Sequence, residues 1–141
     1  LYVFGVPVRQ VLGDRGLLTL YIAGGLCASV GHIAAGILTG VDLGAVGASG
    51  SVMAIAVVFA ALFPNTTLLI NFFVPVKAWL AVLIFIGIDL FGAFGMTGID
   101  QVFDPSNNIA HAAHLGGATF GLFYYMLRIR PRFVPIVKRK P

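Results

Sequence analysis

Val46-Gly47-Ala48-Ser49-Gly50-Ser51 leads a run of small residues into an apolar segment that stops at Pro64-Asn65-Thr66-Thr67. Residues 49–63 read as one helix, and at 1.5 Å per residue it reaches about 22 Å. The hydrocarbon core of a bilayer is about 30 Å thick. If the far end of this helix sits at one interface, Ser49 lies several ångströms below the other. Backbone that is not helical at such a depth is tolerated only against protein or a wet cavity. The short helix therefore predicts a cavity above Ser49.

Lipid is the solvent that this composition fits. The chain has 141 residues, 59% hydrophobic and 10% charged, with a mean hydropathy of +0.99. Soluble domains carry about 25% charged residues. The 18 glycines suit helices that approach closely in a membrane, where small residues let backbones touch. Cys27 is the single cysteine, which excludes an internal disulfide.

Outward from the short helix, residues 17–38 form a continuous apolar run long enough to span, since crossing takes roughly 20 residues. Residues 6–16, with Pro7, Arg9, Asp14 and Arg15, read as a loop at a water interface after an apolar stub at 1–5. Residues 78–96 make the next span, with Trp79 near its start and Asp89 embedded in it. Residues 68–76 are an apolar, interfacial connection, and 97–108 are a polar loop. Residues 109–127 are the last span, followed by a basic tail at 128–141. The expected fold class is an all-α polytopic membrane bundle at 1–127 with that tail attached.

Charge orients the bundle. Four alternating spans put residues 6–16, 64–77 and 128–141 on one side, and all nine Lys and Arg fall there. The opposite loops hold Asp42, Asp100 and Asp104 and no cation. Under the positive-inside rule the basic side is cytoplasmic, so the Ser49 end faces away from the cytoplasm. The same clustering argues against nucleic acid as a partner, because the basic tail directly flanks an apolar span.

A second stretch, Ala110-His111-Ala112-Ala113-His114-Leu115-Gly116-Gly117, carries the other reactive side chains of the apolar part. Serine is a weak nucleophile until a base takes its proton and donors stabilise the oxyanion. Ser49 at a helix start has unpaired backbone N–H groups and the positive dipole end beside it. Gly47 and Gly50 allow close approach. Taken alone, the motif fits a helix N-cap with packing glycines equally well or better. His114 changes the balance. It lies roughly 9 Å down its span from Asn108, a depth similar to that of Ser49 and on the same side. Gly117 and Gly121 follow on the same helical face at i+3 and i+7. His111 reads as an interfacial hydrogen-bonding group and His32 as structural. Asp89 can either orient His114 or bond loop backbone. Three histidines without Cys ligands or a His-Glu pairing at ligand spacing do not make a metal site, and no cofactor motif is present.

Gly47-Ala48-Ser49-Gly50 together with Ala113-His114-Leu115-Gly116-Gly117 resembles the rhomboid family of intramembrane serine proteases, as do Phe4-Gly5-Val6-Pro7-Val8, Val11-Leu12-Gly13 and the Tyr21 to Gly25 segment. The matches run through nearly the whole chain in the family's order. The resemblance implies the last four spans of a rhomboid core, preceded by a stub. It implies a Ser49–His114 dyad without a catalytic acid, with the backbone N–H groups of Ser49 and Ala48 in the oxyanion hole. Gly47, Gly50, Gly117 and Gly121 would pack the site. Residues 78–96 would correspond to the helix proposed as the lateral gate. Substrates would be single-span membrane proteins, in a bacterial inner membrane. Two departures stand out. The family's His-x-x-x-Asn segment would fall before Leu1, and Met53 stands where an aromatic ring usually packs on the histidine. The alternative from another class is a catalytically inactive rhomboid-like protein that binds membrane clients. A small transporter ranks last, because its polar groups would line a continuous path. Nothing in the sequence specifies an oligomeric state.

Overall fold

The computed structural model describes residues 1–40, 48–70, 74–93 and 111–131. Four helices dominate: α1 (Tyr2–Thr39), α2 (Ser49–Leu62), α3 (Ala78–Ala93) and α4 (His111–Tyr124). α4 runs on through a π-helical turn at Tyr125–Ile129, and helical backbone continues to residue 131, past the end expected at 127. The expected loop at 97–108, Gly47, and the tail beyond residue 131 lie outside the described residues.

α1 corrects the reading of residues 6–16. That segment is helical rather than a loop, and the helix breaks at Gly13, whose φ is 71° and ψ 176°. Only glycine adopts this region freely. A Cβ there would meet no atom within 4 Å, so conformation and not crowding requires the glycine. Phe4, Val8 and Leu12, four residues apart, turn the arm before the break onto the buried core. Phe4 packs on Phe59 at 5.4 Å between ring centroids, and Phe59 on Phe63 at 5.5 Å. Arg9 and Asp14 pair across the break on the exposed side. After the break α1 runs about 39 Å over residues 14–39. It ends at Gly40 in the left-handed conformation, whose N–H reaches Gly36 O at 2.9 Å.

α2 is the hub. Nine of its residues, from Gly50 and Ser51 to the run Ala54–Ala60, are buried. A helix apolar on all faces is stable only when surrounded. Its neighbours are α1 and α4, which approach it through small residues. A Cβ on Gly24 of α1 would lie 2.7 Å from Ala54 Cβ, and one on Gly121 of α4 2.5 Å from Ala54 O. α1 and α4 also meet directly: a Cβ on Gly116 would lie 2.7 Å from Cys27 O, and one on Gly31 2.8 Å from Ala112 O. These contacts fix directions, with α1 antiparallel to α2 and to α4, and α2 parallel to α4. These are the relative directions expected of the apolar runs at 17–38, 49–63 and 109–127.

Residues 68–76 hold a feature the sequence reading did not specify. Thr67–Ile70 and Val74–Lys77 form an antiparallel pair, Thr67 opposite Lys77 and Ile70 opposite Val74. Pro75 costs no central ladder bond, because both strands are edges. The pair leads straight into α3, with Ala78 N–H bonded to Thr66 O at 2.8 Å.

The outer faces suit lipid. Leu18, Ile22, Leu26, Val30, Ile33 and Ile37 are exposed along one stripe of α1. α1 has a 37-residue stretch long and apolar enough to cross a membrane, while α2 and α3 are shorter apolar helices. In water such a stripe would drive association, whereas in hydrocarbon it is solvated.

Candidate functional site

Helix α2 begins at Ser49, with Ala48 as its N-cap at φ −69° and ψ 3° and no side-chain cap bond. The first turn closes through Val52 N–H to Ala48 O at 3.1 Å. Ser49 is thus the first helical residue and not the cap. The N–H groups of the first turn have no intrahelical acceptor, which is the usual state of a helix start. Ser49 is exposed, whereas Ser51 is buried at 5% exposure. Ser51 faces α1, since a Cβ on Gly25 would lie 2.5 Å from its Oγ. Of the two hydroxyls, only that of Ser49 is open.

The start of α2 is pressed against the histidine-bearing part of α4. A Cβ on Gly117 would lie 2.0 Å from Gly50 O, and one on Gly50 3.1 Å from Ala113 O and 2.3 Å from Ala28 Cβ. No side chain fits between these backbones. Ser49 adjoins Gly50, and His114 lies between Ala113 and Gly117, so the two predicted residues flank one contact. Among the described residues no hydrogen bond joins Ser49 to His114. Gly121 repeats the close approach one turn further along α4, against Ala54. Met53, half-buried, packs on the core cluster.

Asp89 of α3 completes the cluster. Its Oδ1 lies 2.9 Å from His114 Nδ1 and 2.9 Å from His111 Nδ1. All three side chains are largely removed from solvent, at 7% exposure for Asp89, 11% for His111 and 20% for His114. The sequence left Asp89 between His114 and loop backbone and put His111 at an interfacial bond. The structure joins both histidines to one carboxylate oxygen. The available signal was spacing: His111 and His114 share a face of α4 at i, i+3, as Asp89 and Gly92 do on α3. A Cβ on Gly92 would lie 2.3 Å from His111 Nε2, so that ring is seated on the α3 backbone. His32, on α1, is buried.

Beneath the cluster an apolar cleft of about 430 Å³ separates α3 from α2, floored by α4. Val57, Ala61, Trp79, Leu83, Leu115 and Leu122 are among its walls.

The sequence matches the family model described as Rhomboid domain over residues 1–131. It is 34% identical over 132 residues to RHOMBOID-like protein 12, mitochondrial, of Arabidopsis thaliana, covering 84% of this chain and 37% of that protein. It is 29% identical over 124 residues to the presenilin-associated rhomboid-like protein, mitochondrial, of Rattus norvegicus, covering 88% of this chain and 31% of that protein. The chain spans about a third of the length of these relatives. No solved structure matches. With four packed helices, glycine contacts at the two motif helices, and the family match running over residues 1–131, the chain belongs to the rhomboid family.

Proposed function

We propose that this protein is an intramembrane serine endopeptidase, in which Ser49 is the nucleophile and His114 the general base. The observation that carries the reading is the backbone contact of Gly50 with Ala113 and Gly117. It sets an exposed hydroxyl at a helix start beside the part of α4 that bears a histidine. His114 takes the Ser49 proton as Oγ attacks the scissile carbonyl carbon. The carbonyl electron pair moves onto oxygen and is met by the N–H groups of Ser49 and Ala48, which lie at the positive end of α2. Collapse breaks the C–N bond, and His114 delivers its proton to the leaving amine. Water then attacks the acyl-enzyme, losing its proton to His114, which returns it to Ser49 as the acid departs. No metal or cofactor takes part.

Substrates are the membrane-spanning segments of single-span proteins, which enter laterally and unwind near the Ser49 end. The charge distribution supports a placement with that end opposite the nine cations, six of which lie at 128–141. Both relatives are named as mitochondrial, which gives a bacterial inner membrane no support. The second reading, a rhomboid-like protein that holds clients without cutting them, finds favour in the relatives' own names, which say rhomboid-like and not protease.

A fluorophosphonate probe applied to the full-length protein in detergent separates the two. Labelling at Ser49 is expected, lost in Ser49→Ala and in His114→Ala and kept in Ser51→Ala. Labelling that survives Ser49→Ala, or none in the unmodified protein, leaves the client-binding reading in its place.

A further inference from the structure

We propose that Asp89 is a positioning residue for the base, and that it arms His114 only while α3 is seated on α4. The inference rests on the Ser49–His114 reading and adds a third member to it. An ionised carboxylate accepts hydrogen bonds and donates none, and one oxygen has two lone pairs. Asp89 Oδ1, 2.9 Å from both Nδ1 atoms, therefore holds both imidazoles with the proton on Nδ1. That tautomer leaves the lone pair on Nε2, the form needed to receive a serine proton. The two rings are then distinguished by their other edge. His111 turns its Nε2, Cδ2 and Cε1 toward Gly92, each within 2.5 Å of where a Cβ would be. Its far edge is occupied by α3 itself. His114, at 20% exposure against 11% for His111, is the more open ring of the two.

The assignment also links chemistry to helix position. Ser49 and His114 sit on α2 and α4, which are locked by glycine contacts without intervening side chains. Asp89 sits on α3, which has four buried residues and borders the 430 Å³ cleft. Displacing the Asp89 end of α3 removes the anchor from both histidines at once. His114 is then free to rotate or change tautomer, and the base is disarmed. His111 gives α3 a second hold on the same oxygen, so the armed state is the seated state.

The test reads tautomer and rate separately. Full-length protein with ¹⁵N-labelled histidine, in detergent near neutral pH, is expected to show His111 and His114 with the proton on Nδ1, assigned by loss of signals in His111→Gln and His114→Gln. Asp89→Asn, nearly isosteric, is expected to move at least one ring to the Nε2–H form. It should lower kcat on a transmembrane substrate by on the order of 10²-fold with little change in KM. An unchanged melting temperature identifies folded variant. An Nε2–H tautomer at His114 in the unmodified protein overturns the proposal, and so does wild-type kcat in Asp89→Asn. Failure of the dyad reads differently: activity then persists in Ser49→Ala, whatever the tautomers.

Discussion

Gly117→Ala is the most direct perturbation of the geometry that joins α2 to α4. The new Cβ would lie 2.0 Å from Gly50 O and 2.8 Å from Gly50 C, and ordinary contact begins at 3.4 Å. The obstacle is backbone, which cannot rotate away as a side chain does. The two helices must separate locally by the difference, 3.4 − 2.0, or about 1.4 Å. Overpacking of this kind costs about 1–3 kcal/mol, and a misplacement of about 1 Å in reacting groups can cost 10²-fold in rate. We expect kcat for cleavage of a single-span substrate in proteoliposomes to fall about 10²-fold. Gly121→Ala supplies the graded comparison: its Cβ would lie 2.5 Å from Ala54 O, asking for about 0.9 Å at a point further from Ser49. It should destabilise with a smaller loss of rate. Gly87→Ala, on α3, meets nothing within 4 Å and should be silent. A Gly117→Ala enzyme within about threefold of wild type would refute the reasoning, since 1 Å shifts at a working site cost far more. So would equal losses in all three variants, because only crowding distinguishes them.

Two further outcomes follow from the same geometry. Gly13→Ala forces an L-residue into a conformation open almost only to glycine, so it should lower stability by about 1–3 kcal/mol, read as a fall in melting temperature. A wild-type melting curve would mean the break is not required. Gly92→Ala should push the His111 ring off α3 and reduce kcat, while adding Gly92→Ala to a His111→Ala background should cost nothing more; additive losses would show that Gly92 acts elsewhere.

The positions of the helices were legible because each apolar run is bounded by breaks rich in Gly, Pro or Asp. The small-residue motifs were legible too, since a glycine or an alanine at each approach is what lets Gly50 meet Ala28, Ala113 and Gly117. Residues 6–16 misled because Pro7, Arg9, Asp14 and Arg15 look like loop chemistry, and their charges in fact sit on the exposed face of a helix. The counter-signal was the i, i+4, i+8 placing of Phe4, Val8 and Leu12, which turns one face to the core. The antiparallel pair at Thr67–Ile70 and Val74–Lys77 was hidden because a short apolar run reads equally as strand or buried helix. Asp89 was hidden for another reason. Sequence gives its depth in α3 but not the rotation of α3 about its axis, and that rotation decides whether the carboxylate meets α4 or the adjacent loop.

The division of labour among the helices gives the cluster its sense. A site is accurate when its groups stand on rigid elements. α1, α2 and α4 form such a frame: at the α2–α4 and α1–α4 crossings glycines leave backbone against backbone, and at the α1–α2 crossing they meet only the small side chains of Ala28, Ser51 and Ala54. α3 is attached differently. Its buried residues are Ala78, Ala81, Val82 and Asp89, its large apolar residues Leu80, Ile84, Phe85, Leu90 and Phe91 are exposed, and Leu83 borders the cleft toward α2. A buried carboxylate in an apolar bundle is costly unless its bonds are made. Asp89 meets that demand with two imidazoles from the rigid frame. These two bonds tie α3 to α4 at its Asp89 end. The group that fixes the proposed base is the same group that closes the helix over the cleft, so a substrate segment entering there would have to compete with the bond that readies His114.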